Sequence, residues 1–258
     1  MIHVMKLKEK YFDYIKYGSK EYEIRLNDEK RKIIKKGDFI EFQKEPFLEE
    51  KMIIRVDDIL HYDNFNELLN NINIKLLADS SITKKQLNTD LEYFYSIEKQ
   101  KKYGVVAIKL RKDNIIYNSN INNIYFNDNI FNGLKNSYDY FDLWFNKMKF
   151  NNISIYYTEK ENELTSVMIL KINEIDSQQF MENGNILKIR TLLVNDKNKG
   201  IGKMYLSFID DIAITNNIDY IYLTIKISNK ELISFVEKNG YNKYSKYNDE
   251  FVYYKELK

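Results

Sequence analysis

The chain has 258 residues, of which 44% are apolar and 30% charged, enough for buried cores in one large or two small domains. Its 40 basic and 38 acidic side chains nearly cancel, which excludes a strongly polybasic nucleic-acid-binding protein. The lack of cysteine excludes disulfides, thiolate metal sites and cysteine nucleophiles, and two histidines are too few for a histidine-rich metal site. No apolar run approaches the ~20 residues that span a bilayer, so we expect a cytoplasmic protein with neither membrane nor metal partner.

The first 112 residues alternate short strand patterns with helical ones. Strand patterns cover 2–7, 21–26, 39–43, 52–59 and 104–110, and helical spacing relates apolar residues within 11–15, 65–72 and 83–95. Short strands with inserted helices predict a small β-barrel decorated by helices. This segment carries 23 basic and 19 acidic residues, so an anionic ligand would favour it over the rest of the chain.

Charged residues alternate along the strand that begins near residue 21. Glu21, Glu23 and Arg25 share one face, and the apolar residues between them share the other, which can face a core. Alternating opposite charges are typical of solvated salt bridges, which contribute little to stability. The same face, with Lys20 adding charge, also suits the lining of a ligand cleft, and both interpretations stay open here.

The pattern Gly18-x-Lys20-x-x-Glu23-x-Arg25, followed by Gly37-Asp38, resembles the ASCH family over residues 1–112. The resemblance implies a PUA-like β-barrel whose cleft binds RNA or a modified nucleoside through Lys20, Glu23 and Arg25. In such a cleft, Arg25 can clamp a phosphate or a base edge, and Glu23 can accept from an exocyclic amine. Some small family members hydrolyse acetylated cytidine with a lysine and a threonine. Lys20 matches that lysine, but Glu23 stands in the threonine position, which favours binding over hydrolysis.

Residues 113–125 are rich in asparagine and keep no sustained period, which predicts a linker or irregular lead-in to a second domain at 126–258. In that domain, helical spacing at 131–150, 200–216 and 230–239 alternates with strand patterns at 153–157, 165–172, 186–194, 220–227, 241–247 and 250–257. The chain is therefore predicted to be an α+β protein of two domains, the second built on a mixed αβ sheet.

A basic, glycine-containing turn joins the strand that ends at Val194 to the helix that follows. Its sequence is Lys197-Asn198-Lys199-Gly200-Ile201-Gly202-Lys203. Helix N-termini expose N–H groups that hold phosphates, and glycines let a pyrophosphate approach the backbone closely. The alternative is a tight αβ connection without a ligand, because the Walker pattern and the third glycine of the dinucleotide fingerprint are both missing.

This turn and the downstream pattern Asn229-x-x-Leu232-x-x-Phe235-Val236-x-x-x-Gly240-Tyr241 together resemble the GNAT acetyltransferase family over residues 126–258. The resemblance implies acetyl-CoA bound between the strands at 189–194 and 220–227. The pantetheine arm would pair with the first strand, and the pyrophosphate would lie on the glycine turn. The cofactor-binding residues implied are Leu192, Leu193, Val194, Lys197, Asn198, Lys199, Gly200, Ile201, Gly202, Lys203 and Asn229.

The catalytic groups depart from that family's pattern. Its usual thiolate acid is a tyrosine four residues before the glycine, where this chain has Val236. The strand that often carries the base offers Arg190 and Thr191. Tyr253 and Glu250 on the last strand are the candidate substitutes, although packing within the strand would also account for Tyr253.

Together the two resemblances predict an acetyl-CoA-dependent N-acetyltransferase with an RNA- or nucleoside-binding ASCH domain, and they leave the acceptor amine unassigned. Two alternatives stay open. One is a protein that binds acetyl-CoA and nucleic acid with little catalysis. The other is an ASCH-type amidohydrolase with an acetyl-CoA-binding appendage.

Overall fold

The computed structural model describes residues 1–79, 81–125, 128–173, 179–180, 182–195 and 199–257. The chain divides into two compact units, Met1–Ile116 and Tyr117–Lys258. Helices and strands occur in both units, which confirms the predicted α+β class. Across the described residues, no helix is both long enough and apolar enough to cross a membrane.

The first unit is built on a mixed sheet. Its strands are β1 (Ile2–Leu7), β2 (Tyr22–Leu26), β3 (Phe39–Lys44), β4 (Lys51–Tyr62) and β5 (Val105–Asn120). They pair in the order β2-β5-β4-β3-β1, with β1 parallel to β3 and the pairs β3–β4 and β2–β5 antiparallel. The two end strands approach each other, because Arg25 Nη2 of β2 donates to the Lys6 carbonyl of β1 at 3.3 Å. The sheet therefore curls, as a barrel-like fold requires.

Helices connect these strands, and some of them pack against the sheet. They are α1 (Glu9–Lys16), α2 (Glu29–Lys32), α3 (Phe65–Asn71), α4 (Lys84–Phe94) and α5 (Ile97–Tyr103). The sequence predicts the start of α4, where Thr83 and Gln86 form a capping box. Leu87 and Leu91 of α4 lie four residues apart and join a buried cluster with apolar residues of α3, β2 and β5.

The linker predicted for residues 113–125 is wrong as far as Asn120, because β5 continues to that residue. Ile116 is fully buried in this part of the strand. Asn118, one of the asparagines that suggested irregular structure, bonds to the neighbouring strand instead: its Nδ2 donates to the Ser154 hydroxyl at 2.7 Å. An asparagine-rich strand is therefore stabilised by side-chain bonds that composition alone does not reveal.

The second unit contains a longer sheet. Its strands are β6 (Ser154–Lys160), β7 (Glu163–Ile172), β8 (Ile186–Val194), β9 (Tyr220–Lys226), β10 (Asn242–Tyr247) and β11 (Glu250–Glu256). From the end of β5 the order is β5-β6-β7-β8-β9-β11-β10, and β8 runs parallel to β9. Its helices are α6 (Asn132–Ser137), α7 (Phe141–Phe150), α8 (Ile201–Thr215) and α9 (Lys230–Lys238).

Alternate residues of β6 bury opposite faces of this sheet. Ile155 packs into a cluster with Phe141 and Phe145 of α7. Its neighbour Tyr156 meets Phe208 of α8 edge to face, with ring centroids 5.3 Å apart. The period of two in the strand thus places α7 and α8 on opposite sides of the sheet.

The first prediction concerns Gln100, a buried side chain that bridges two segments. Its Oε1 accepts from the Phe65 N–H at 3.1 Å, and its Nε2 donates to the Tyr95 carbonyl at 3.0 Å. Gln100→Met should lower the free energy of unfolding by about 1–3 kcal/mol, because it leaves two backbone groups unpaired. Urea denaturation measures this change. Gln43→Met, whose amide bonds only the Glu41 side chain, is the control, and an equal loss in both variants would contradict the prediction.

Candidate functional sites

A carboxylate buried between two cations forms the floor of a cavity in the first unit. Glu23 is 2% exposed; its Oε1 lies 2.5 Å from Arg25 Nη1, and its Oε2 lies 3.4 Å from Lys20 Nζ. Glu23 and Arg25 belong to β2, and Lys20 lies just before it. The structure thus brings together three residues that the sequence analysis assigns to one site.

The ammonium of Lys20 is fully engaged by the protein. Besides approaching Glu23, Nζ donates to the carbonyl oxygens of Tyr22 at 2.7 Å and Leu77 at 2.8 Å. These three acceptors match the three N–H bonds of a protonated lysine. Burial lowers the pKa of Lys20, a shift that Glu23 opposes and the charge of Arg25 reinforces. Lys20 therefore holds Glu23 in place and has no N–H bond left for a ligand.

Arg25 retains a donor that a ligand can use. Its Nη1 contacts Glu23 and the Ile24 carbonyl, its Nη2 contacts the Lys6 carbonyl, and the Tyr95 hydroxyl is a fourth partner, whereas a guanidinium has five N–H bonds. Burial acts to lower the pKa of Arg25, but Glu23 and the Tyr95 hydroxyl together raise it above the usual value. The guanidinium is therefore always charged and can bind an anion or a base edge while it holds Glu23.

The cavity above this floor has a volume of about 230 Å³. One wall is a single face of α4, and the exposed side chains of Lys6 and Lys8 stand at the mouth. The lining from α4 and its C-terminal neighbour consists of Leu87, Asp90, Leu91, Phe94 and Tyr95. The helical spacing in the sequence directs four of these five inward but does not show that they close a cavity over β2. Apolar walls above a charged floor suit a small planar ligand with polar edges.

In the second unit, β8 and β9 diverge. Residues 186–188 pair with residues 220–222, but no further pairing joins these two fully described strands before they end at Val194 and Lys226. On its other side, β8 stays paired with β7 as far as Val194. The divergence therefore opens a gap that exposes one backbone edge of β8.

A β-bulge at Arg190 changes which backbone groups point into this gap. Ile189 and Thr191 on either side of Arg190 pair with consecutive residues of β7, so Arg190 is the extra residue. An extra residue inverts the alternation of N–H and C=O directions along the rest of the strand. The bulge thus sets the direction in which the backbone N–H and C=O groups of β8 point from Thr191 to Val194.

Beyond the bulge, the backbone groups of Leu192 and Val194 point into the gap. The Asn195 N–H donates to the Thr165 carbonyl of β7, so Asn195 faces β7, and by alternation Leu193 does as well. Leu192 and Val194, at the positions between, present their N–H and C=O groups to the opposite side. The side chains of all three predicted residues, 192–194, are partly exposed.

The helix α8 begins just after this strand, and Gly200 is the residue at its N-cap. Gly200 adopts a left-handed conformation with φ +76° and has no side chain that could cap the helix. Lys199 and Lys203 are exposed beside it. Lys197 and Asn198, which the sequence analysis also assigns to the cofactor, lie outside the described residues.

Buried hydroxyls hold α8 against the sheet. The Tyr205 hydroxyl of α8 lies 2.8 Å from Ser166 Oγ, which lies 2.6 Å from Thr158 Oγ1. Burial raises the pKa of Tyr205, so the phenol keeps its proton. Because Ser166 pairs with Val194, this network fixes the helix beside the strand end that leads into the glycine turn.

The first turn of α8 packs against α9. A Cβ atom at Gly202 would lie 3.0 Å from Cζ of Phe235, closer than ordinary contacts allow. Ile201 beside it is buried. Asn229 caps α9, its Oδ1 accepting from the Leu232 N–H at 3.1 Å. The contact between Gly202 and Phe235 is long-range, and no signal in the sequence indicates it.

The two candidate catalytic residues, Glu250 and Tyr253, lie on opposite faces of β11, because they are three positions apart in a strand whose side chains alternate. Tyr253 is buried and donates to Glu237 Oε1 of α9 at 2.7 Å, and burial with this bond raises the pKa of Tyr253 to about 12. Glu250 Oε1 accepts from the Tyr138 hydroxyl at 2.8 Å. The sequence does not point to Tyr138 as a partner of Glu250. Helical spacing over 131–150 predicts one continuous helix, whereas Tyr138 lies in the break between α6 and α7.

Comparison with known proteins gives the following similarities. Residues 5–113 match the family model of the ASCH domain. The solved structure of hypothetical protein PH0355 is 37% identical, covering 43% of this chain and 98% of that chain with a TM-score of 0.39. Protein PF0455 from Pyrococcus furiosus is 36% identical, covering 43% of this chain and 96% of that chain with a TM-score of 0.36.

Other similar solved structures include the PaiA N-acetyltransferase from Thermoplasma acidophilum in complex with coenzyme A. It is 18% identical to this chain, covering 50% of this chain and 84% of that chain with a TM-score of 0.39. Another is Naa50 of Arabidopsis thaliana, 19% identical, covering 40% of this chain and 72% of that chain with a TM-score of 0.33. No curated protein shows a significant match.

The second prediction tests the supporting role of Lys20. Lys20→Met should lower the free energy of unfolding by about 3–5 kcal/mol, because buried Glu23 loses a cation and two carbonyl oxygens lose a donor. Chemical denaturation at neutral pH measures the loss. Lys36→Met, at an exposed lysine, is the matched control and should change stability by less than about 0.5 kcal/mol. A loss in Lys20→Met as small as that of the control would contradict the prediction.

Proposed function

Because the chain belongs to the ASCH-domain family through residues 5–113, we propose that it is an acetyl-CoA-dependent N-acetyltransferase that carries an RNA- or nucleoside-binding ASCH domain. In this proposal the binding domain spans residues 1–112, the transferase domain spans 126–258, and the protein works in the cytoplasm. The acceptor is an amine of a class that the proposal leaves open.

The gap between β8 and β9 is the observation that carries the transferase assignment. Leu192 and Val194 present backbone N–H and C=O groups along one edge of it. An extended ligand with amide groups, such as the pantetheine arm of coenzyme A, can pair with these groups as an added strand would. Leu193 lies between them with its backbone groups turned to β7, so its proposed contact with the cofactor is through its partly exposed side chain.

The start of α8 would hold the pyrophosphate. Its N-cap residue, Gly200, has no side chain to pair the first N–H groups, and a helix N-terminus favours negative charge. Exposed lysines beside it add attraction that salt screens. The residues proposed for this contact are Lys197, Asn198, Lys199, Gly200, Ile201, Gly202 and Lys203, and Asn229 at the start of α9 is the further proposed cofactor residue.

The candidate acid and base would act from opposite sides of the sheet. When bound, acetyl-CoA supplies the acetyl group as a thioester. Glu250, on the side of α6 and α7, would accept a proton from the amine at Oε1 once that atom is released from Tyr138. Tyr253, on the side of α9, would donate its hydroxyl proton to a thiolate, and its raised pKa keeps that proton in place at neutral pH.

In the ASCH domain, Glu23 and Arg25 are the proposed ligand contacts. Glu23 accepts N–H groups of a base edge, and Arg25 donates to a phosphate or a carbonyl. Lys20 stays in the proposed site as the group that holds Glu23 in place. Its three engaged N–H bonds and the carboxylate in the threonine position support binding over the alternative of amidohydrolase activity.

Binding without transfer is the second candidate function, and a specific observation favours it. Each proposed catalytic oxygen already has a hydrogen-bond partner, Tyr138 for Glu250 and Glu237 for Tyr253. The position of the usual catalytic tyrosine holds Val236, which is fully buried. Such a protein would bind acetyl-CoA and turn it over slowly.

Calorimetry with acetyl-CoA, followed by thiol release with mixed amines, nucleosides and RNA, separates these candidates. A transferase binds acetyl-CoA and releases thiol only when an acceptor is present. A binding protein shows the heat of binding and no acceptor-dependent thiol. Failure to bind acetyl-CoA would overturn both assignments for the second unit.

The third prediction concerns Gly202. Gly202→Ala should weaken acetyl-CoA binding by about tenfold or more, because the new methyl group pushes the first turn of α8 away from Phe235 and misplaces its N–H groups. Adding Phe235→Leu should make room and recover much of the affinity. Gly133→Ala in α6 is the control, since no atom lies within 4 Å of its added Cβ. If Gly202→Ala binds like the wild type while its melting temperature falls, the cofactor does not contact this turn.

The fourth prediction concerns Arg25. Arg25→Gln should weaken binding of a single-stranded RNA by about tenfold or more, and should reduce the salt dependence of that binding if Arg25 contacts a phosphate. Fluorescence anisotropy at several salt concentrations measures both effects. The control is Arg111→Gln, which removes an equal charge from an exposed position of β5, where Arg111 bonds Asp57 at 2.7 Å. Equal losses in the two variants would show a general charge effect and no specific site.

A further inference from the structure

Aromatic rings at the mouth of the cavity in the first unit are left open to solvent. Tyr93 and Phe94, at the end of α4, are 84% and 45% exposed, and Phe94 also lines the cavity. Their rings meet edge to face, with centroids 5.2 Å apart. With Tyr95 lining the cavity as the next residue, consecutive aromatic side chains lead from the cavity out to solvent.

Two lysines stand at the same mouth. Lys6 and Lys8 are exposed, and neither has an ion-pair partner in the part of the chain that the structure describes. Lys8 Nζ lies 4.5 Å from the centroid of the Phe94 ring. Three acidic residues line the cavity: Glu23, which Arg25 and Lys20 pair, Asp90, which lies 3.7 Å from Lys10, and Glu45. The mouth therefore offers cations and ring surfaces side by side.

This pairing of rings and cations exceeds what a free nucleoside needs. A nucleoside has one base, which the cavity can hold, and it carries no phosphate. A polynucleotide alternates flat bases with phosphates, and proteins bind its single-stranded form by stacking bases on aromatic rings and placing cations on the backbone. A base within a duplex is stacked and paired, so it cannot enter a cavity while its neighbour covers the rim.

We propose that the cavity takes one nucleotide of a single-stranded RNA, with the next base stacked on the ring of Phe94, which Tyr93 meets edge to face, and the phosphate between the two nucleotides bound by Lys8 and Lys6. This inference rests on the proposed function of the ASCH domain and narrows its ligand from a nucleoside to a strand. Glu23 and Arg25 read the inserted base, and the rim residues hold the strand.

The experiment compares strand and monomer on the full chain. Fluorescence anisotropy measures binding of labelled 12-nucleotide RNAs of A, C or U, with competition by the matching nucleosides and 5′-monophosphates. At least one 12-mer should bind about tenfold or more tightly than its monophosphate, because stacking adds favourable contacts. Phe94→Leu and Lys8→Gln should each remove most of this advantage, because they should lower the affinity for the 12-mer by a larger factor than the affinity for the nucleoside. Phe150→Leu is the matched control, since Phe150 is 87% exposed and is the last residue of α7, as Phe94 is of α4.

The outcomes separate this inference from the function on which it rests. Equal affinity for a 12-mer and its monophosphate would overturn the proposal that the site binds an RNA strand, and so would equal effects of Phe94→Leu and Phe150→Leu. Either result would leave a nucleoside site in place. A DNA 12-mer or a duplex RNA that binds as tightly as the single-stranded RNA would overturn the assignment to single-stranded RNA. A wild-type chain that binds no strand, monophosphate or nucleoside would overturn both.

Discussion

A carboxylate removed from water must be paired, and this requirement organises the first unit. Burial of an unpaired charge costs several kcal/mol, so the placement of Glu23 in β2 demands cations at both of its oxygens. Arg25 supplies one from the same strand, and Lys20 supplies the other from just before it. Lys20 in turn donates to the Leu77 carbonyl, which ties β2 to the segment that precedes α4. The cavity floor is therefore rigid before any ligand arrives.

The second unit depends on a different requirement, that backbone polar groups at a strand edge find partners. Where β8 leaves β9, its N–H and C=O groups face a gap, and the bulge at Arg190 sets which residues present them. Buried hydroxyls of Tyr205 and Ser166 keep α8 beside the end of that strand. An exposed backbone edge and a helix start with glycine at its N-cap thus follow one another along the chain, which suits a long ligand with amides at one end and phosphates at the other.

The face of a strand decides which chemistry each candidate catalytic residue can perform. Glu250 and Tyr253 are close in sequence, but the alternation of β11 turns them to opposite sides. Glu250 meets Tyr138 on one side, and Tyr253 meets Glu237 on the other. A donor and an acceptor substrate that enter a sheet from opposite sides would each find one of these groups. The same hydrogen bonds must break before either group can transfer a proton.

The sequence by itself determined the features that depend on neighbours along the chain. Alternation put Glu23 and Arg25 on one face of one strand, a capping box began α4, and a glycine-containing turn preceded α8, because each of these follows from local geometry. Tertiary structure alone decided the contacts between distant segments. These are the hydrogen bond from Lys20 to the Leu77 carbonyl, the packing of Phe235 against Gly202, and the hydrogen bond from Tyr138 to Glu250. It also decided that the asparagine-rich segment after residue 112 continues a strand as far as Asn120, where the Asn118 amide bonds to residues of β6. The periodicity of a sequence indicates which face of a helix or strand a side chain occupies. The residues that this side chain contacts belong to distant segments, which come close only when the chain folds.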